Sequence, residues 1–549
     1  MARGLLVSWA GYPYTPSSFA LDNGLANLAG ALVAEGHQAL IADFGTLSVM
    51  RRLFPAGLAA RVAPVMQQLL TASGPPPPEA GAQLAALTAE LEAHQQAETL
   101  RVADELAALV RSWQPDFVGF KLWNGDGFSG SLTLAARLRQ EFPALKLYAG
   151  GPHATWFQGL VYDHTQAFDA LAVGEGESTI VALAEHAAGR LPLQAVPGIV
   201  YRDGTQVREN PPDPFLDMNT LPDPLYDEDI YPAMAGDEKL KIVVVDDSRG
   251  CPHACGFCTH PLESGRRLRL KSASRLADDL QRIITRYGLH AFRFAGSTTP
   301  GSLMAETAHH ILDRNLKLVY TSFGHFRSTE PEHFPLLRRS GLWGLFFGIE
   351  TGCQELLEKA VGKGRKLYRV RETVQDAQAA GIYVACSMIV PMPFETEETL
   401  QRSLDFLLEI RPDSVPVQFP GLLPLTPWLS DPERYGIEVD REKYLHENIA
   451  YKFKLLLPPA FWQPLPYRIN GLDYHQFTAQ TAAFARQLEQ AGILVNLSDD
   501  NAMIARLAGM GYREYRDAAR VWCVTGNAEA MQEMVSRANK ALSGDPTGL

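Results

Sequence analysis

Short apolar runs alternate with amphipathic stretches along most of the chain. Runs at 4–9, 39–43, 116–121, 146–150 and 170–173 are separated by stretches at 25–33, 129–141 and 178–188 whose apolar residues recur at helical spacing. A strand buried on both faces reads as a continuous apolar run, so this alternation predicts a parallel sheet covered on both sides. Helical sequence rich in Ala, Leu and Gln, with the breaker Pro75-Pro-Pro-Pro78, interrupts the rhythm at about 51–113 and predicts an insertion. Residues 196–240 hold Asn210-Pro-Pro-Asp-Pro214 and Leu221-Pro-Asp-Pro-Leu225. Proline removes donors and favours extended chain, so this stretch reads as a linker. The rhythm then restarts, with strands expected at 241–247, 291–296, 317–323, 343–350, 382–390 and 414–419. Six such units suit an incomplete parallel barrel. From about 430 the chain reads as helical, including an amphipathic run at 474–491. The expected fold is α/β: a doubly wound, Rossmann-like domain at 1–195, a linker at 196–240, a partial (β/α)6 barrel at 241–428 and a helical capping domain at 429–549.

Charge narrows the possible partners. The 549 residues carry 50 Lys+Arg against 62 Asp+Glu, a net charge of −12. Nucleic-acid binders show basic patches, and the one dense basic run, Arg266-Arg-Leu-Arg-Leu-Lys271, reads as a solvated loop face. Nucleic acid is therefore disfavoured. No window approaches ~20 uninterrupted apolar residues, so a membrane span is not expected. Six cysteines in the whole chain and a start without a charged-then-apolar leader suggest the cytoplasm.

The chemistry concentrates in one loop. Cys251, Cys255 and Cys258 form C-x3-C-x2-C at the end of the first barrel strand, in the run from Asp247 to His260. Three thiolates suit three irons of a [4Fe–4S] cube. With no fourth cysteine nearby, one iron stays open to the amino and carboxylate groups of S-adenosylmethionine (SAM). Zinc, with His253 or His260 as a fourth ligand, and a disulfide are the alternatives. Cys353, Cys386 and Cys523 stand alone and read as small buried hydrophobes.

This spacing, with Phe257 just before the third cysteine, resembles the radical SAM superfamily. Gly150-Gly-Pro-His153, Val173-Gly-Glu-Gly-Glu177 and Gly36-His37 resemble the cobalamin-binding domain that precedes the barrel in class B members, the C-methyltransferases above all. The resemblance implies that Tyr12, Pro13, Leu122, Trp123, Asn124 and Gly150 contact cobalamin. It implies the same of Gly151, His153, Val173, Gly174, Glu175 and Gly176. Many such domains place a histidine on cobalt from Asp-x-His-x-x-Gly after the first strand, but the loop from Trp9 to Phe19 has none. His37 and His153 read as backbone-bonding residues, so the cobalt is expected without a histidine. Trp123 then lies near its lower face or merely packs a loop.

In the barrel, Gly348-Ile-Glu-Thr-Gly352 matches the family's Gly-Ile-Glu-Ser-Gly, which implies that Glu350 accepts from the SAM amino group or ribose. Ser322 and Arg327 are candidates for the SAM carboxylate, and Gly296 for a close approach. Ser297 stands where many members carry an acid. The implied cofactors are a [4Fe–4S] cluster, SAM and cobalamin, with an electron donor such as flavodoxin or ferredoxin. The implied reaction moves a methyl group from SAM through methylcobalamin to a carbon of a small natural-product precursor, after a 5′-deoxyadenosyl radical from a second SAM has abstracted a hydrogen from that carbon. Ring closure or rearrangement on the same scaffold is the alternative, and a non-catalytic cofactor sensor a third. Tyr451, Phe453, Phe461, Trp462, Tyr467 and Tyr474 either line a substrate pocket or pack helices.

Overall fold

The computed structural model describes all residues except 10–14, 72–77, 298, 325, 327–328, 364–365, 453–461 and 544–549. Tyr12, Pro13, Arg327, Phe453 and Phe461 therefore lie outside the described residues.

Five parallel strands build the front sheet: β1 Arg3–Ser8, β2 Gln38–Asp43, β3 Phe117–Lys121, β4 Lys146–Gly150 and β5 Ala170–Ala172. Two more, β6 Ile199–Asp203 and β7 Gln206–Asn210, extend it antiparallel in the order β2-β1-β3-β4-β5-β6-β7. The linker expected from 196 therefore begins later, because residues 199–210 form a hairpin that completes this sheet. Alternate strand residues serve opposite faces. Leu6, Ile41, Phe117 and Tyr148 pack with Leu25, Leu32 and Leu183 of helices Asn23–Ala34 and Glu177–Ala187. Leu5, Val7, Val118 and Leu147 pack with Val102, Leu106 and Leu134 of helices Pro78–Trp113 and Asp126–Glu141. The latter half of Pro78–Trp113 is thus the crossover from β2 to β3 that covers one face, and not wholly an insertion.

A second sheet begins with β8 Ile242–Val245, and a short antiparallel hairpin, β9 Ser248–Arg249 with β10 Arg269–Leu270, brackets the cysteine loop. Then come β11 Ala291–Phe294, β12 Val319–Phe323, β13 Leu342–Glu350, β14 Tyr383–Ile389, β15 Ser414–Val415 and β16 Val417–Gln418, all parallel. The C-terminal segment is less separate than a helical cap. It holds an antiparallel pair, β17 Ile437–Val439 with β18 Tyr467–Ile469, and its β19 Leu494–Val495 joins β15 in parallel as the barrel's seventh strand. Val243, Phe292 and Tyr320 face the flanking helices. The alternating Ile242, Ala291 and Val319 instead pack with Met503, Met531 and Val535 of helices Asp499–Leu507 and Ala528–Leu542. Among the described residues no helix is long and apolar enough to cross a membrane.

Candidate functional site

Backbone bonds shape the cysteine loop and leave its thiols uncommitted to one another. Cys251 N–H donates to Gly265 O at 3.1 Å, Gly256 N–H to Val361 O at 3.0 Å, and Trp428 N–H to Gly256 O at 2.9 Å. The Trp428 indole donates to Ala360 O at 3.1 Å and its ring lies 5.6 Å from that of Phe257. Phe257 is thereby a wall of the loop. Cys251 and Cys255 are buried, Cys258 is half-buried, and all six cysteines are free thiols. Burial, with the nearby Cys255 and Cys251, pushes the Cys258 thiol up to about 12, while Lys363 pulls the other way. Iron bound there would take the place of the thiol protons and so remove the penalty on the Cys258 thiolate. Among the described residues no three His, Cys, Asp or Glu side chains gather round a single point. A cubane does not ask for that, since each thiolate holds its own iron. The donor set fits a thiolate-ligated cluster.

Beside the loop, the end of β8 carries Asp247, an acid that sequence reasoning passed over. It is fully buried, and burial raises its carboxyl to about 6. It accepts from Gly296 N–H at 2.7 Å and from Thr299 Oγ1 at 2.8 Å. A Cβ on Gly296 would come within 2.0 Å of Ser248 Oγ and 2.6 Å of Asp247 Oδ2. Gly296 is glycine here because the protein's own carboxylate needs the space. Ser297 Oγ–H donates to Gly250 O at 2.8 Å and so pins the residue before Cys251. Ser322, fully buried, donates to Thr299 Oγ1 at 3.2 Å. Its hydroxyl, expected on the SAM carboxylate, joins this internal chain.

Glu350 ends β13 with a φ of 73°, a strained conformation for a residue with a side chain. Its Oε1 accepts from the buried Lys363 Nζ at 2.5 Å, and that ammonium sits 5.5 Å from the Phe257 ring centroid. Lys363 carried no sequence signal, yet it places a cation between Glu350 and the cysteine loop.

The front loops are built differently. Trp123 is exposed at 41% and stands 6.0 Å from Trp156 at the end of β3. Asn124 Oδ1 is buried without a partner, an acceptor suited to an amide N–H such as those around a corrin ring. Leu122 is fully buried, so its side chain belongs to the core and only its backbone borders the loop. After β4, Gly151 adopts φ 94°, and a Cβ there would meet Leu122 O at 3.1 Å. Gly150 lies alongside Ala172, Val173 N–H donates to Gly198 O at 2.9 Å, and Gly174 N–H donates to Thr155 Oγ1 at 3.0 Å. Gly176 approaches Leu28. These loops present an aromatic wall, close-lying backbone and an orphan acceptor, which fits a large, mostly neutral cofactor.

His153 is buried among Phe128 and Phe157, and its Nε2 bonds Ile449 O at 2.6 Å. Burial holds its imidazole down at about 4, so it is neutral. His37 Nδ1 accepts from Ala2 N–H at 3.1 Å, and its Nε2 lies 3.2 Å from Glu185. His37 is committed to the scaffold through both ring nitrogens, His153 through Nε2 alone, since its buried Nδ1 has no partner. Glu175, expected at cobalamin, accepts from Arg249 and Arg269 of the barrel hairpin. In the basic run Arg266 and Arg267 are exposed, while Lys271 is buried on Asp279 at 2.7 Å. Tyr451, Tyr467 and Tyr474 are buried with their hydroxyls bonded, Tyr451 to Tyr474 at 2.8 Å and Tyr467 to Pro420 O at 2.7 Å. They pack as core. Trp462, half-buried, lies 5.2 Å from Phe419.

The profile of the radical SAM superfamily matches residues 245–407, and that of the B12 binding domain matches residues 80–184. An uncharacterised methyltransferase of Pyrococcus horikoshii is 27% identical over 335 residues, covering 59% of this chain and 72% of its own. An anaerobic magnesium-protoporphyrin IX monomethyl ester cyclase of Synechocystis is 25% identical over 363 residues, 62% of this chain and 69% of its own. The structure of the radical S-adenosylmethionine methyltransferase TsrM of Kitasatospora setae, with cobalamin and a [4Fe–4S] cluster bound, aligns with a TM-score of 0.64. It does so at 15% identity over 98% of this chain and 100% of that one, a likeness of fold.

Proposed function

We propose that this chain, which belongs to the cobalamin-binding radical SAM family, transfers a methyl group from SAM by way of cobalamin to a carbon of a small-molecule substrate. The observation that carries this is the meeting of two differently built loop sets. The Trp156 indole of the front domain donates to Glu263, five residues beyond Cys258, so the aromatic wall and the thiols border one space. Cys251, Cys255 and Cys258 would hold the cluster, and the loops after β3, β4 and β5 would hold cobalamin. When bound, these groups supply the methyl carrier and the one-electron chemistry, and the protein contributes binding and orientation.

Glu350 and Lys363 set a carboxylate and an ammonium side by side, complementary to the amino-acid end of SAM, itself an ammonium and a carboxylate. Glu350 would accept from the amino group of bound SAM and Lys363 would face its carboxylate, with Trp428 and Phe257 walling the loop. Asp247 holds the loop after β11 by its N–H and hydroxyl bonds. A low-potential donor of the flavodoxin or ferredoxin type and a cytoplasmic setting accompany this function. The cyclase relative favours a second reading, ring closure without methyl transfer.

Anaerobic reconstitution with methyl-labelled SAM and candidate small molecules separates the two. Label in the product supports methylation, and ring closure without label sinks it. Glu350→Gln is expected to weaken SAM binding about ten- to a hundred-fold, since a hydrogen bond to a charged group contributes about 1.5–3 kcal/mol. Iron content should be unchanged.

A further inference from the structure

The two glutamates of Val173-Gly-Glu-Gly-Glu177 and the arginine just before Gly250-Cys251 belong to one buried charge network that spans both domains. Arg249 donates to Glu177 through Nη1 at 3.1 Å and Nη2 at 2.5 Å, a two-pronged grip that fixes angle as well as distance. It also reaches Glu175 at 3.2 Å and Asp246 at 2.6 Å. Arg269 donates to the same oxygen of Glu175, Oε2, at 3.1 Å, and with its other nitrogen to Oε1. The side chains of Arg249, Arg269, Glu175 and Glu177 are 8–14% exposed, so solvent screens them little.

The hairpin explains why the front domain must take part. β9 and β10 place Arg249 directly opposite Arg269, and like charges across a strand pair repel. The barrel offers Asp246, while Glu175 and Glu177 come from the front loop. The hairpin that brackets the cysteine loop is therefore electrostatically complete only when the loop after β5 is docked.

We propose that Arg249 is a positioning residue that holds the cobalamin loop and the cysteine loop as one unit and so sets the separation of the two cofactors. This rests on the functional reading above, in which the front loops hold cobalamin and the thiols hold the cluster. Transfer between two centres depends on fixed geometry, and a side chain two residues from Cys251 that grips Glu177 supplies it without touching either group.

The test uses the holoprotein with cobalamin as cob(II)alamin and the cluster reduced, two paramagnetic centres whose separation pulsed EPR reads. The wild type is expected to give one narrow separation. Glu175→Gln with Glu177→Gln should keep iron and cobalamin content but lose the single separation for a broad distribution, with kcat lowered and KM for SAM unchanged. Arg249→Lys, which keeps charge and loses the fork, should fall between and decides the matter if the double variant does not fold. An unchanged separation in Arg249→Lys would overturn the proposal. Loss of cobalamin affinity alone would also overturn it, by making Glu175 or Glu177 a cobalamin contact. A wild type that takes up iron but no cobalamin would break the functional reading itself and leave the network a mere domain latch.

Discussion

The two halves of the site face each other with opposite chemistry. The front loops turn aromatic and uncharged groups toward the site, Trp123, Trp156 and a neutral His153 beside close-lying backbone, and commit their two charges, Glu175 and Glu177, to the barrel arginines. The barrel loops are charged and paired, with Lys363 on Glu350 and Asp247 buried among N–H and hydroxyl donors. A large cofactor of mostly amide periphery needs shape and a few acceptors. An amino-acid end and an anionic cluster need charges held where water cannot screen them. Similar parallel sheets thus yield different sites, and the difference lies in what their strand-end loops carry.

The contrast breaks most completely at the thiols. Replacing Cys251, Cys255 and Cys258 together by Ala should remove all cluster iron and the absorbance near 400 nm expected of thiolate-ligated clusters, while cobalamin binding by the front loops survives. Iron, sulfide and cobalamin assays check this, and a retained cluster would refute the assignment.

A smaller break is expected at the buried pair. Lys363→Met leaves the Glu350 carboxylate buried and unpaired, which costs about 3–5 kcal/mol of stability. Adding Glu350→Gln should recover most of it, because the double variant buries no lone charge. Urea unfolding of the single and double variants measures the recovery, and no recovery would mean that Lys363 acts through some other contact.

On the front side the expected effect depends on pH. His153 sits at about 4 in the fold, below the ~6.5 of an unfolded histidine. The unfolded chain therefore takes up a proton first, and stability falls as pH drops from about 6.5 to about 4, by about 3 kcal/mol at most. His153→Gln should flatten that part of the profile, read from urea midpoints between pH 7 and 5. With no histidine in the loop from Trp9 to Phe19 and His153 buried with its Nε2 on Ile449 O, the EPR spectrum of cob(II)alamin should lack nitrogen splitting. A triplet would put a histidine on cobalt, the unpartnered Nδ1 of His153 first.

Smallest is Ser297→Ala. It removes one hydrogen bond to Gly250 O and should lower stability by about 1 kcal/mol, with little change in SAM affinity. A large loss of SAM affinity would move Ser297 from the scaffold into the binding site.

Much of this was legible in the sequence. The parallel strands β1–β5 and most of β8–β16 were readable because strands buried on both faces are largely apolar, as in Ile242–Val245 and Tyr383–Ile389, whereas the exposed hairpin strand β7 and the two-residue β19 were not. The cysteine loop was readable because metal-ligand spacing is local. Trp123 was visible as an aromatic at a strand end. That the Leu122 side chain is buried and the Ser322 hydroxyl bonds Thr299 was not legible, because which side of a strand end a residue faces is settled by the fold.

What the chain by itself determined is therefore the order of buried strands, the thiol loop and the glycine-bearing turns, each a property of residues within one turn or strand. Tertiary structure alone decided which charges meet. Glu175 finds Arg249 across 74 residues, and Lys363 finds Glu350 across 13. Residues 494–495 became a barrel strand because β15 offered an open edge. The physical reason is that an ion pair or a strand pairing is specified by geometry at both ends. A carboxylate's own neighbours in sequence say that it is charged, but not whether folding will bring it a partner, a cofactor or water.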